Sequence, residues 1–318
     1  MKVAIFGGGG GVGSSTAFNL LLLPGDHDLV LVDDREEMVV SHVMDLEQVL
    51  ELGGTGTVRG GDSRDVLDAD VVVVTAAAPL TVNTSRLEYL SSNAEIVGSL
   101  VGPLAGPESW PGVLVVVTNP VDPLCTWIQR WSGIERLRVL GYTLNDSLRL
   151  RTGIARALRV DPGVVDAWVL GEHGDTCVPL FDRVLVANEP VTLTPEERAE
   201  SDEFLRRWYV RHVALDSGRS STWTSGVGVA RMVGAIAADA GELWPASVVL
   251  EGEYGVEGVA LSVPVSLGRE GALIHEWALS SKEQDAFERG AATVREATAR
   301  VDSALVAPSP TPLRRSRR

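Results

Sequence analysis

The chain has 318 residues, 45% of them apolar, and a formal net charge of −15. This length suits one large domain or two of ordinary size, and the acidic balance argues against nucleic acid as a partner. No apolar run reaches the length of a membrane span. The two cysteines, Cys125 and Cys177, lie far apart with no Cys-x-x-Cys spacing, which indicates reduced thiols in a cytoplasm and no metal site.

The first predicted elements are a short strand, a glycine-rich turn and a helix. The apolar run Lys2–Phe6 leads directly into five glycines, and Val12 and Gly13 follow them. Backbone N–H groups in such a turn, together with the positive end of a helix dipole, can hold a pyrophosphate. The glycines fit two spacings, which the residues do not distinguish: Gly8-x-Gly10-x-x-Gly13 and Gly7-x-x-Gly10-x-x-Gly13.

A second apolar run, beginning at Asp28, ends in two acidic residues about 20 positions after the glycine turn. An acid at this place accepts a hydrogen bond from a ribose 2′-hydroxyl in dinucleotide-binding domains. We prefer Asp33 to Asp34 as this acid because Asp33 directly ends the apolar run.

Up to about residue 140, apolar runs without alternation are separated by stretches of helical pattern. Such runs indicate strands that are buried on both faces, as in a parallel sheet. Their alternation with helices predicts an α/β fold with a doubly wound parallel sheet of Rossmann type. The predicted strands are Val3–Phe6, Leu29–Val32, Val71–Thr75, Val113–Thr118 and Leu137–Leu140, and the predicted helices are 12–23, 36–51, 84–101 and 121–131.

The second half of the chain mixes helices with shorter strands, which predicts an α+β substrate-binding and catalytic domain. We place the boundaries at 1–142, 143–306 and 307–318, the last being a disordered basic tail with four arginines and no acid. The predicted helices are 143–158, 195–215, 222–240 and 281–303, the last opened by a capping box over Ser281–Gln284. The predicted strands are 164–170, 183–187, 247–251 and 256–264.

Four clusters place ionisable groups beside glycine or proline or at the ends of elements. Together they offer one histidine, one aspartate and two arginines, which hydride transfer to a 2-oxo acid requires. An imidazole exchanges the proton at the carbinol oxygen and a carboxylate orients it, while one guanidinium polarises the carbonyl and another binds the substrate carboxylate. The clusters are Thr84-Ser-Arg86, Asn119-Pro-Val-Asp122, Asn145-Asp146-Ser-Leu-Arg149 and Gly171-Glu-His173-Gly-Asp-Thr-Cys-Val-Pro179.

With these motifs in this order and at this spacing, the chain resembles the lactate/malate dehydrogenase family over about residues 1–303. The resemblance implies an NAD-dependent 2-hydroxy acid dehydrogenase, closer overall to the malate branch, and a homodimer or homotetramer with Met38–Leu52 as a contact. Its implied catalytic residues are His173, its partner Asp146, and Arg86 at the carbonyl. Its implied substrate-binding residues are Arg149, Asn119, Leu80 and Thr222. Its implied cofactor-binding residues are Gly7, Gly8, Gly10, Val12, Gly13, Asp33, Thr75, Ala76 and Asn119.

The chain departs from the family pattern at the position that separates the two branches. That position holds Arg in malate enzymes and Gln in many lactate enzymes, but it is Leu80 here. The usual Pro-Gly of the same loop is replaced by Val82-Asn83, and Asn145 stands where Leu is usual. Leu80 predicts an apolar 2-oxo acid as substrate. Two alternatives remain: a malate dehydrogenase despite Leu80, and a non-catalytic NAD-binding sensor.

Overall fold

The N-terminal half forms a parallel sheet with helices on both faces. The computed structural model describes residues 1–79, 86–105, 110–217 and 220–304. The parallel strands run in the order β6-β5-β4-β1-β2-β3. They are β1 (Lys2–Phe6), β2 (Asp28–Val32), β3 (Thr57–Gly60), β4 (Val71–Val74), β5 (Val113–Val116) and β6 (Val139–Tyr142). The helices between them are α1 (Gly11–Leu22), α2 (Glu36–Glu51), α3 (Arg86–Val101) and α4 (Val121–Ser132).

The central strands are buried on both faces, as their unbroken apolar sequences predict. In β1, Val3 and Ile5 pack into the core on one side of the sheet, and Ala4 and Phe6 pack into the core on the other side. Strand β3 lies at the edge and buries only Val58. Its mostly polar sequence explains why the apolar pattern did not reveal it.

The second half begins with α5 (Leu144–Leu158) and continues the same sheet. A later strand, β12 (Leu243–Glu251), pairs with β6 in antiparallel fashion, with Ala246 opposite Tyr142, so that the described sheet has nine strands. The small strands are β7 (Val165–Asp166), β8 (Val169–Leu170), β9 (Val178–Pro179), β10 (Leu185–Val186) and β11 (Glu189–Pro190). The remaining elements are α6 (Pro195–Ala214), α7 (Thr222–Ala238), β12 (Leu243–Glu251), β13 (Glu257–Gly268), β14 (Gly271–Ile274) and α8 (Ser281–Ala304).

Two local predictions for this half were wrong in detail. The single strand expected over 164–170 is divided, because β7 pairs with β10 while β8 pairs with β9. The capping box of α8 lies one residue earlier than predicted: Ser280 and Glu283 exchange the side-chain to backbone hydrogen bonds. The predicted tail 307–318 lies outside the described residues.

Two helix pairs position the site. Helix α1 packs against α7, and α5 packs against α6. The second pair approaches closely at Gly153, where a Cβ atom would lie 3.0 Å from the backbone oxygen of Ser201. In the described part of the chain, no helix is both long enough and apolar enough to cross a membrane.

Candidate active site

The glycine turn after β1 is pressed against the end of β4. Gly7 has φ of +83°, and a Cβ atom there would lie 2.5 Å from the Ala76 nitrogen. A Cβ atom on Gly13 would lie 2.3 Å from the Gly7 carbonyl oxygen. Thr75 completes the contact by donating its hydroxyl to the Phe6 carbonyl at 2.9 Å. A side chain at Gly7 would therefore push the turn away from the strand edge, and a side chain at Gly13 would push α1 away from the turn.

The N-terminus of α1 opens behind this turn. Its N-cap residue is Gly10, which supplies no side-chain cap, so no capping side chain covers the first-turn N–H groups around Val12. A pyrophosphate suits this end because it accepts from exposed N–H groups and neutralises the helix dipole. Thr222, at the start of α7, lies beside this end, with its hydroxyl 3.3 Å from where a Gly11 Cβ would be.

Asp33, rather than Asp34, faces the glycine turn. Its side chain is 5% exposed against 96% for Asp34, and its carboxylate accepts from the Gly9 N–H at 3.0 Å. Burial would raise the pKa of Asp33, but hydrogen bonds from Arg35 hold that pKa below its usual value. The group is therefore ionised at neutral pH and can accept a ribose hydroxyl.

A buried chain of three charged side chains joins α5 to the turn after β8. The Nδ1 atom of His173 lies 2.5 Å from one oxygen of Asp146, and Nη1 of Arg149 donates to the other oxygen at 2.9 Å. The three side chains are only 11–14% exposed. Asp146 and Arg149 share a face of α5 because they are three residues apart.

The carboxylate and the imidazole each favour the charged form of the other. Burial alone would raise the pKa of Asp146, but the charges of His173 and Arg149 hold it below the usual value. Burial alone would lower the pKa of His173, but the Asp146 carboxylate raises it above the usual value. This arrangement stabilises the imidazolium form of His173. It leaves Nε2, the second ring nitrogen, for a partner other than Asp146 and Arg149.

A second carboxylate, for which the sequence assigned no role, contacts the backbone of the histidine. Asp122 is buried in the first turn of α4 and accepts from the backbone N–H of His173 at 2.6 Å. Burial raises the pKa of Asp122 to about 7. Asp122 therefore fixes the backbone of the histidine turn, while Asp146 contacts the imidazole ring. Its place in the cluster Asn119-Pro-Val-Asp122 was the available signal.

Asn119 lies at the carboxyl end of β5, beside the end of β4. The fully buried Asn93 of α3 donates to the Asn119 carbonyl at 2.6 Å and accepts from the Ala78 N–H at 2.7 Å. Thr118 adds a hydrogen bond to the Ala76 carbonyl at 2.8 Å. These contacts hold the two strand ends together. No motif marked Asn93 in the sequence.

The remaining predicted residues are placed less completely. Arg86 is the first residue of α3, and its side chain lies outside the described part, as does the whole of Leu80.

The unusual Asn145 is buried and hydrogen-bonded to Tyr142 at 3.0 Å and to Ser225 at 2.9 Å. A polar bridge to α7 therefore replaces the apolar contact that a leucine would make.

The site thus combines a proton-exchanging imidazole, a fixed guanidinium and a dinucleotide-type turn at one sheet edge. A guanidinium held in place binds a carboxylate in two parallel hydrogen bonds. An imidazole backed by a carboxylate exchanges a proton near neutral pH. The arrangement suits redox chemistry on a small anionic hydroxy or oxo compound.

The comparisons with known proteins agree with this geometry. Residues 1–141 match the lactate/malate dehydrogenase NAD-binding domain, and residues 143–304 match the lactate/malate dehydrogenase alpha/beta C-terminal domain. Malate dehydrogenase of Halobacterium salinarum is 35% identical over 294 residues, covering 91% of this chain and 96% of that protein. L-lactate dehydrogenase 1 of Staphylococcus aureus is 34% identical over 309 residues, covering 95% and 97%. The structure of malate dehydrogenase from Salinibacter ruber matches with a TM-score of 0.87 at 28% identity, covering 95% and 98%.

Proposed function

The chain belongs to the lactate/malate dehydrogenase family of NAD-dependent oxidoreductases, and we propose that His173 exchanges the proton at the carbinol oxygen of its substrate. The enzyme interconverts a 2-hydroxy acid and a 2-oxo acid. NAD, when bound, takes up or supplies the hydride. The observation that carries the proposal is the buried 2.5 Å contact between the His173 Nδ1 and Asp146.

The proton step follows from that contact. Asp146 occupies Nδ1, so that Nε2 is the ring nitrogen that faces the substrate oxygen. Reduction of the carbonyl needs a proton at this oxygen, and the raised pKa of His173 keeps one available. In the oxidation direction the neutral imidazole accepts the same proton, and Asp146 stabilises the resulting charge.

Arginines supply the other interactions with the substrate in this proposal. Arg149 binds the substrate carboxylate, and its ion pair with Asp146 sets the distance between that carboxylate and His173. Arg86 polarises the carbonyl, an assignment that comes from its position in the family motif. Asn119 contacts the nicotinamide and the substrate from the end of β5.

The cofactor end of the site is assigned to the glycine turn and the strand ends beside it. Asp33 binds the adenosine ribose and disfavours a 2′-phosphate, which gives NAD preference over NADP. The other proposed contacts are Gly7, Gly8, Gly10, Val12, Gly13, Thr75 and Ala76. Thr222 lines the cofactor side of the pocket, beside the N-terminus of α1.

The proposed substrate carries a small or apolar group at C3, because Leu80 offers no hydrogen-bond donor. A second carboxylate bound against a leucine would be buried without a partner, which costs several kcal/mol. Oxaloacetate is the second candidate. The related proteins named malate dehydrogenase, and the Gly7-x-x-Gly10-x-x-Gly13 option, favour it.

NADH oxidation with pyruvate, oxaloacetate and branched or aromatic 2-oxo acids tests the substrate proposal. We expect the apolar acids to have the higher kcat/KM, and Leu80→Arg to raise oxaloacetate kcat/KM about tenfold. Oxaloacetate turnover by the wild type far above that of every apolar acid would show that the malate alternative is correct.

We also propose a homodimer or homotetramer built on the contact region Met38–Leu52. Helix α1 packs against both α2 and α7, and these three helices leave large apolar side chains in solvent. Such a surface is typical of a protein interface. The exposed side chains are Phe18, Leu22, Met38, Val40, Met44, Trp223 and Val227. Light scattering at micromolar concentration should give at least twice the chain mass, and a monomer would refute this assembly.

We also propose a division into two domains and a cellular location. The chain divides into a cofactor domain 1–142 and a substrate domain 143–306, even though they share one sheet, because the proton-transfer residues follow β6 while the glycine turn precedes it. A cytoplasmic location fits the two cysteines, which are both unpaired and buried.

A further inference from the structure

We propose that Trp208 is a positioning residue that orients the guanidinium of Arg149 for the substrate carboxylate. The inference rests on the carboxylate-binding role proposed for Arg149. Trp208 lies on α6, and the centre of the Arg149 guanidinium is 4.3 Å from the centroid of its ring. At this distance the cation is attracted to the face of the indole.

Trp208 and Asp146 together restrict the orientation of the Arg149 guanidinium plane. Asp146 accepts from Nη1 at 2.9 Å, which fixes one edge of the guanidinium, and the indole supports it from one side. A bidentate ion pair requires the guanidinium and the carboxylate to be coplanar. A free arginine side chain would lose considerable rotamer freedom on reaching that geometry. With both supports, the remaining N–H groups are oriented before the substrate arrives.

Helix α6 is anchored firmly enough for its tryptophan to serve this purpose. It is packed closely on α5 at Gly153. The Trp208 ring is itself held by stacking on His212 of the same helix, with a centroid distance of 5.1 Å and an angle of 14°. Arg206 of the same helix donates to the Asp175 carbonyl at 2.8 Å. The second half of α6 therefore contacts both Arg149 and the turn that carries His173.

The same pair of helices contains a matched control. The guanidinium of Arg156, seven residues after Arg149 on α5, lies 4.5 Å from the centroid of Phe204, four residues before Trp208 on α6. This second pair has the same chemistry and joins the same helices. It has no role in the proposed mechanism, so its loss measures how much the stacking matters to helix packing alone.

Steady-state kinetics of Trp208→Leu, Trp208→Phe and Phe204→Leu, with NADH and the best 2-oxo acid, test the inference. We expect Trp208→Leu to raise the KM of the oxo acid about tenfold, equivalent to about 1.4 kcal/mol. Its kcat should stay within about twofold, and the KM of NADH should not change. Trp208→Phe should recover most of the loss because it keeps an aromatic face. Phe204→Leu should match the wild type.

Equal oxo-acid KM values for Trp208→Leu and Phe204→Leu would overturn the inference. If Trp208→Leu does not fold, Trp208→Met replaces it, since methionine fills the volume without an aromatic face. Arg149→Leu separates the role proposed for Arg149 from the role proposed for Trp208. An unchanged KM in Arg149→Leu would refute the proposed role of the arginine itself. A raised KM in Arg149→Leu with an unchanged KM in Trp208→Leu would refute the tryptophan alone.

Discussion

Among single residues, Asp146 has the clearest predicted effect, because its charge sets the pH range in which His173 carries a proton. The carboxylate raises the pKa of His173 against the effect of burial. Asp146→Asn should therefore lower that pKa. Reduction of the oxo acid uses the protonated imidazole, so kcat/KM for reduction falls as pH rises through this pKa. In Asp146→Asn this fall should begin at lower pH than in the wild type.

The measurement is kcat/KM for reduction between about pH 5 and pH 9. Asp182→Asn is the control, because it removes one carboxylate that is paired with Arg198 on the surface. If kcat/KM falls at the same alkaline pH in Asp146→Asn as in the wild type, Asp146 does not raise the pKa of His173.

Cofactor preference is also decided by one residue. Wild-type kcat/KM should be about thirtyfold or more higher with NADH than with NADPH, equivalent to about 2 kcal/mol. In Asp33→Ser, Arg35 loses the carboxylate that holds its Nε at 3.0 Å and becomes free to pair with a 2′-phosphate, so the ratio should shift toward NADPH. Asp34→Ser removes the same charge from an exposed position and should leave the ratio unchanged. Equal wild-type efficiency with both cofactors would rule out the role of Asp33.

At the scale of elements, the glycine turn depends on the close approach of β1 and β4. Gly7→Ala should destabilise the protein by more than the roughly 1–3 kcal/mol expected for a positive φ alone, because its Cβ would also meet backbone at 2.5 Å. Gly53→Ala is the matched control, since Gly53 has φ of +103° and no atom within 4 Å of the added Cβ. Urea unfolding of both variants gives the difference. Equal losses of unfolding free energy in the two variants would mean that the backbone after β4 moves aside without an energetic cost.

The success of sequence-based prediction also differed from element to element. Strands β1, β2, β4 and β5 were predictable because burial on both faces demands unbroken apolar runs. Edge strand β3 was not, because its exposed residues carry no such pattern. His173 and Asp146 stand in motifs that local sequence reveals. Trp208 and Asn93 act through contacts with residues far away in the chain, and their own neighbours give no indication of those contacts.

At the scale of the whole molecule, the sequence did not reveal that one sheet runs through both halves. The pairing of β12 with β6 depends on which strand edges remain free after the parallel sheet forms, and that is a property of the folded chain. The result is a continuous core that links the cofactor side to the proton-transfer side. Stability changes at one end of the sheet should therefore affect the unfolding of the whole protein.

His27, near the start of β2, should make the stability of the fold depend on pH. It is buried, neither ring nitrogen has a hydrogen-bond partner in the described structure, and burial lowers its pKa. The unfolded chain therefore binds the proton first. Stability should be complete above the ordinary value of 6.5 and should fall as pH drops from there through the lowered folded-state pKa. The slope from this group is at most about 1.4 kcal/mol per pH unit.

Urea unfolding at pH 7.5 and at lower pH, for wild type and His27→Leu, measures this contribution. The wild type should lose more stability than the variant between the two conditions. If His27→Leu does not fold, His27→Gln serves instead. The same loss in wild type and variant would show that His27 is accommodated in its charged form.

His173 carries the proton in the proposed mechanism, and NADH oxidation by His173→Asn measures what the loss of this group costs. With the preferred 2-oxo acid, kcat should fall by about 10²–10⁴-fold, because the proton donor is lost. The thermal midpoint and NADH affinity should match those of the wild type. Near-normal turnover by a folded His173→Asn enzyme would show that another group supplies the proton.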